Sequence, residues 1–305
     1  MMMYEKFEEK VLERVRSRIP NGVEVMSCSR RKNNGLIKKG LQFSISGERI
    51  EQGIYLDDSY VRFETGQCTM DEIIDGILEN LSICDGFISK LNFDPDDFES
   101  VKDRITMKLI NTDMNRDFLE EVPNFKFYDL SIVFYLLMEI SEHGTGTAQI
   151  YNQNVKAWGI SKKELLETAI KNSENLLPAR FFTMQHAIEE MLQISDNQEE
   201  ENLFEKKNEN KKDVMYVLTN SKKSLGAVCI AYPHVIESIS AMIKEDFYIL
   251  PSSLHELIIV PQSRALESDE MNAMVQEINS TQVEPEEILC NHAYFYDRLT
   301  KKLTY

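Results

Sequence analysis

The chain of 305 residues has few of the features that announce chemistry. Its five cysteines (Cys28, Cys68, Cys84, Cys229 and Cys290) are odd in number and contain no Cys-x-x-Cys pair, which excludes zinc ribbons and thioredoxin-type redox motifs. Long apolar runs are missing too. The longest, "SIVFYLLMEI", is about half of what a membrane-spanning helix needs. The first twenty residues mix both charges throughout, unlike a secretory leader. Positive charge is scarce, with 34 Lys and Arg against 51 Asp and Glu, a net charge of −17 and a pI near 4.8. Such a surface repels phosphate backbones, so nucleic acid is disfavoured as a partner. The one tight basic cluster, "SRRKNNGLIKKG" (Ser29–Gly40), falls where a hairpin turn is expected. These absences describe a reduced, acidic, cytoplasmic protein without a membrane segment. Its length is enough for a core that needs no disulfide or metal.

Periodicity supplies what motifs do not. Tyr4, Phe7, Val11, Val15 and Ile19 recur at helical spacing up to Pro20. "GVEVMSCSR", "GLQFSISG" and "GIYLDDSYVRF" read as a strand meander. Thr69 and Glu72 form a capping box before a long apolar helical stripe, and Ser161 and Glu164 form a second. Between them, "ITMKLIN" reads as a strand, while "FYDLSIVFYLLMEI" and "TGTAQIYNQNVKAWG" read as two long strands joined by "SEHGTG". "RFFTMQHAIEEMLQI" fits helix and strand equally. The composition changes at "SDNQEEENLFEKKNENKKD", whose charged and amide side chains suggest a linker. Beyond it, "VMYVLTN", "GAVCIAY", "DFYILPS" and "ELIIVP" read as strands, with helices opened by Pro233 and Ser268 and a closing hairpin or edge strand in "HAYFYDRLTKKLTY". The expected fold is α+β: an N-terminal α/β domain over 1–195, a charged linker over 196–213, and a C-terminal ββαββαβ unit over 214–305 with a mixed or antiparallel sheet.

The polar knot "PSSLHE" between two apolar runs is the strongest candidate site, through Ser252, Ser253, His255 and Glu256. A zinc-protease helix would need a second histidine at position 259, which is Ile259. A serine nucleophile lacks the Gly-x-Ser-x-Gly elbow, and Ser253 and His255 on one extended face would stand roughly 7 Å apart. The simpler reading is a turn whose hydroxyls bond the local backbone. A catalytic reading requires distant groups to converge, with His234 and His292 as candidates. "EHGTGT" lacks the helix and the Gly-Lys-Ser/Thr of a phosphate loop, and His143 has no nearby second ligand. Asp57-Asp58 and Asp94/Asp96/Asp97 could bind a divalent cation, but such groups arise without function among 51 carboxylates, and the second sits where a helix start favours negative charge; Trp158, Met271 and Met274 read as core. No cofactor and no metal is expected.

Five ordered blocks carry a resemblance: "VPNFKFYDLSIVFYLLME", "WGISKKELLETAIKNSENLLP", "MYVLTNSKKSLGAVCIAYP", "FYILPSSLHELIIVP" and "MVQEINSTQVEPEEILCNHAYFYD". They span Val122 to Asp297 and resemble an uncharacterised clostridial family, the domain of unknown function numbered 5688. A stretch from Asp129 to Pro178 is similar, more weakly, to part of a second uncharacterised family from related Gram-positive bacteria. The resemblance implies no activity, cofactor or catalytic residue. The functional expectation is a non-enzymatic module that binds another protein or peptide through sheet edges and the Pro251–Glu256 loop. The alternative is a hydrolase or transferase of unrecognised type built on that loop.

Overall fold

In a computed structural model that describes residues 2–45, 51–88, 93–141, 144–192, 201–205, 213–251 and 253–305, the chain divides into two compact units, Met1–Phe93 and Asp94–Tyr305. In the first, helix α1 (Tyr4–Arg16) places Phe7, Val11 and Val15 on one fully buried face. Strands β1 (Val23–Arg31), β2 (Ile37–Ile45) and β3 (Glu51–Tyr55) form the expected antiparallel meander, with Asn34 and Gly35 at the turn of the basic stretch. The continuation of that third run departs from expectation. It forms helix α2 (Asp57–Glu64), because two acids occupy its first turn and Tyr60 and Phe63, three residues apart, both pack on the ring of Phe7. Helix α3 (Met70–Ile88) starts at the Thr69/Glu72 capping box and adds Ile73, Ile74 and Ile77 to the same core.

The second unit holds two antiparallel sheets. After α4 (Phe98–Val101) come β4 (Ile105–Asn111), α5 (Arg116–Glu121), β5 (Asn124–Phe127), β6 (Leu130–Ser141) and β7 (Gly144–Gln149). β6 is long enough to pair β4 along one edge and to share its other edge between β5 and β7. The chain then runs through α6 (Asn152–Trp158), α7 (Lys162–Leu176), β8 (Ala179–Thr183) and α8 (Met184–Met191). It continues with β9 (Tyr216–Asn220), α9 (Val235–Ile243), β10 (Phe247–Leu250), β11 (Leu257–Pro261), α10 (Ser268–Thr281), β12 (Tyr294–Asp297) and β13 (Lys302–Thr304). These strands make a six-stranded sheet in the order β13-β12-β10-β11-β9-β8. The architecture is α+β, with antiparallel pairing throughout the described sheets.

Four local expectations change. "YNQNVKAWG" is helical, closed by Gly159 in the left-handed region rather than extending β7. The N-cap of α10 is Glu267, one residue before Ser268. "GAVCIAY" is a buried 3-10 segment, Gly226–Ala231, because β9 already has β11 on one edge and β8 on the other, leaving no edge for it. The charged stretch is also not the divide between units: β8 before it pairs with β9 after it. Within it, residues 201–205 lie along β8. The Leu203 N–H donates to Phe181 O at 2.7 Å, the Thr183 hydroxyl donates to Glu201 Oε1 at 2.8 Å, and Phe204 stacks on Phe181. Composition concealed this, since Glu201, Asn202 and Leu203 bond an open strand edge that the sequence could not reveal.

The buried 3-10 segment depends on a close approach at its first residue. A Cβ on Gly226 would stand 2.6 Å from His255 O and 2.7 Å from Asn220 N, and closer still to Thr219 Oγ1. Two of these three atoms are backbone and cannot swing away. Gly226→Ala should therefore lower the stability of the full chain by at least about 2 kcal/mol, read as a drop in the urea midpoint at unchanged slope. A midpoint within experimental error of wild type would show that this contact is not a constraint.

Candidate functional site

β10 and β11 are neighbours in the sheet, so the residues between them form their connecting corner. That corner contains the knot. Ser252 lies outside the described residues. Ser253 is buried, and its hydroxyl accepts the backbone N–H of His255 at 3.0 Å. The hydroxyl of Thr219, at the end of β9, donates to the His255 carbonyl at 2.7 Å, and Leu254 O accepts from the Ala227 N–H. The backbone of the corner is thus clamped to the end of β9 and to the buried 3-10 segment.

The His255 ring is occupied on both sides. Its Nδ1 accepts the N–H of Leu225 at 3.1 Å, from a residue held in the left-handed region at φ +55°. A nitrogen that accepts a backbone N–H carries no proton, so the ring proton sits on Nε2, which donates to Glu287 Oε1 at 3.1 Å. A carboxylate thus orients the histidine, as in a hydrolytic triad, but the carboxylate is Glu287 and the nucleophile position is filled by a peptide N–H. Glu256, the carboxylate adjacent in sequence, has its pKa raised by burial, against the pull of His255 and Lys223. Glu287 was not identifiable in "VEPEEIL", where nothing distinguishes it from its acidic neighbours.

The distant histidines do not converge here. His234 caps α9 with an exposed side chain, and its carbonyl accepts from Ser238. His292 bonds Asp129 Oδ2 through Nε2 at 2.8 Å, while the Tyr294 hydroxyl donates to Asp129 Oδ1 at 2.6 Å. Asp129 sits at the β5–β6 turn, so this cluster ties one sheet of the unit to the other. The ring of His292 stacks on Tyr305 with centroids 5.0 Å apart, and the Cys290 thiol donates to the His292 carbonyl. The Asp129 carboxylate, seconded by Cys290, raises the His292 pKa to about 10 against its partial burial. Burial alone would raise Asp129, but the bonds from His292 and Tyr294 outweigh it and hold the carboxyl below its usual range.

A third feature lies beside the corner. An apolar pocket of about 140 Å³ opens between α10 and the sheet, with Pro251 of the corner on its rim. Met184, Met215 and Met274 line it together with Leu250, Ile258 and Asn279. Met271 is core as expected, whereas Met274 belongs to this pocket.

The remaining candidates serve as local structure. Asp57 accepts the Lys39 N–H at the start of α2, Asp97 caps α4 through the Ser100 N–H, and Asp94 accepts from the Asp96 N–H. Trp158 packs on Phe98 and donates to Pro95 O. His143 lies outside the described residues. Among the described residues, no group of three or more His, Cys, Asp or Glu could hold a metal ion, and no helix is long and apolar enough to cross a membrane.

A family model described as a family of unknown function, DUF5688, matches residues 4–298, and the chain belongs to that family. No curated protein and no solved structure matches it.

The His292–Asp129 pair gives the unit a pH signature. A histidine whose folded pKa is raised contributes stability that is complete below its unfolded value, about 6.5, and is lost as pH rises toward about 10. A carboxylate whose folded pKa is depressed contributes above its unfolded value, about 3.9, and loses that contribution as pH falls. His292→Ala should cost about 1–3 kcal/mol between roughly pH 4 and 6.5, with a shrinking difference from wild type above that window. Urea titrations across pH check this. A pH-independent difference would mean that the pair contributes packing rather than charge.

Proposed function

We propose, for a chain whose family has no assigned function, that it is a non-enzymatic cytoplasmic module that binds another protein or peptide, and that the pocket beside the Pro251–Glu256 corner is where it binds. The supporting observation is the contrast between the two features. The His255 ring and the Ser253 hydroxyl are engaged by the protein's own backbone and by Glu287, whereas the pocket next to the corner is apolar, open and walled by methionine. Flexible, polarisable thioethers suit a surface that must fit a partner's side chain. The covered edge of β8 argues against strand addition at that end of the six-stranded sheet. With a net charge of −17, encounter favours partners that are basic or weakly charged.

The competing reading, a hydrolase or transferase built on Ser252, Ser253, His255 and Glu256, draws on the His255–Glu287 pair. His255 cannot serve it as the base through Nδ1, because the Leu225 N–H takes that lone pair. Two measurements separate the readings. A serine-reactive fluorophosphonate should leave the native protein unlabelled. Peptides selected by display against the full chain should bind at least tenfold more weakly to Met274→Glu, which puts a carboxylate into the pocket wall. Labelling that disappears in Ser253→Ala, or selected peptides indifferent to Met274→Glu, would overturn the proposal.

A further inference from the structure

One face of the six-stranded sheet carries two helices with an open groove between them. Leu250, Ile258, Val217 and Phe182 are register partners across β10, β11, β9 and β8, so they share that face. α10 covers one part of it, where Met271 and Val275 pack with Leu250 and Val260. α8 folds back over the other, with His186 edge-on to Phe182. The apolar pocket of about 140 Å³ lies between the helices, walled by Met184 of α8 and by Met274 and Ile278 of α10, with Leu250 and Ile258 of the sheet beneath. The apolar wall does not stop at the pocket. Ile188 and Met191 follow Met184 at intervals of four and three along α8, and they are 47% and 76% exposed. No residue of α8 is fully buried, although its stripe prolongs the groove by about 10 Å. A surface helix ordinarily turns such a stripe into the core, and one left open marks a place where something docks.

Resting on the binding reading above, we propose that the groove between α8 and α10 takes a basic amphipathic helix of a partner protein, whose apolar stripe lies along Met184, Ile188 and Met191. Three observations select that occupant. The first is that the floor of the groove offers no backbone partner. β9, β10 and β11 are each paired on both edges, and the Met215 carbonyl already accepts the Met184 N–H at 3.0 Å. An extended peptide would bury its own N–H and C=O groups there unpaired, whereas a helix bonds its backbone internally. The second is the spacing of the wall, which runs at helical intervals for two turns and so matches anchors at i, i+4 and i+7 of a facing helix. The third is charge. α8 carries Glu189 and Glu190, α10 carries Asp269, Glu270 and Glu277, and neither helix has a lysine or an arginine. Lys223 pairs with Glu190, and among the described residues no cation pairs with the other four. Lysines or arginines beside the partner's apolar stripe would meet these carboxylates and hold the helix in register.

The test uses the full chain and three synthetic peptides of equal length, followed by fluorescence anisotropy. The first sets leucines at intervals of three and four among lysines. The second places the same residues in strict alternation, and the third keeps the first pattern with glutamate for lysine. The first should bind at least tenfold more tightly than either of the others and should gain helical circular dichroism on binding. Ile188→Lys and Met191→Lys, at exposed positions that leave the core untouched, should each weaken it at least tenfold. Leu299→Lys adds the same charge at an exposed residue of the β12–β13 turn and should leave binding unchanged, which tells docking from the general attraction of a polycation to an acidic protein. The proposal is overturned if the alternating peptide binds as tightly as the helical one, which makes the occupant extended, or if the glutamate peptide does, which removes the charge match. It is overturned too if no peptide binds at millimolar concentration, or if Ile188→Lys and Met191→Lys weaken binding no more than Leu299→Lys. A full chain that sediments as a dimer, dissociated by Met191→Lys, would make the occupant a second copy and overturn it equally. The response of display-selected peptides to Met274→Glu is read independently, so none of these outcomes decides the binding reading.

Discussion

The close approach of Gly226 to the end of β9 and to the His255 carbonyl is the contact on which the second unit depends. It allows a fully buried 3-10 segment, Gly226 to Ile230, to pass against both β4 and β9. A side chain at this point would push the segment off Thr219, release the hydroxyl that holds the corner, and withdraw the Leu225 N–H from His255. Leu225 sits at a positive φ, a conformation that costs about 1–3 kcal/mol for such a residue and persists because the contacts on either side fix it. Packing between the sheets, the shape of the corner and the tautomer of His255 thus share one cause.

The polar residues of this unit are arranged by the obligation to satisfy buried backbone. Thr219, Asn220 and His255 each bond a peptide group that turns away from regular pairing where the chain leaves β9 and enters β11. Asp129, His292 and Tyr294 make the other cluster, joining the β5–β6 turn to the start of β12 through charge-assisted bonds. Both clusters contain residue types that enzymes use. In both, the atoms that chemistry would need are bonded within the fold. Asn279 Oδ1 is buried without a hydrogen-bond partner among the described residues.

Much of the fold was legible because it follows from short-range rules. The spacing of Phe7, Val11 and Val15 gave α1, and Thr69–Glu72 and Ser161–Glu164 gave the starts of α3 and α7. The misreadings share a reason. "DDSYVRF" and "YNQNVKAW" hold β-forming residues yet are helices, because local acids, an Asn at the third position and a terminal glycine outweigh propensity. "GAVCIAY" reads as a strand by local measures and is not one, since both edges of β9, the strand before it, are already paired. Residues 201–205 read as linker because their value lies in Phe181 and Thr183, which they cover.

The sequence by itself determined the α+β class, the family, and the position of a polar corner between two apolar strands, since these rest on periodicity, turn chemistry and ordered blocks along the chain. Tertiary structure alone decided what the corner's groups do. Glu287 meets His255 from 32 residues away, Asp129 meets His292 from 163, and the amide of Asn279 clips residues 290 and 291 to α10. Hydrogen bonding depends on distance and direction in space, and at such separations spacing along the chain carries neither.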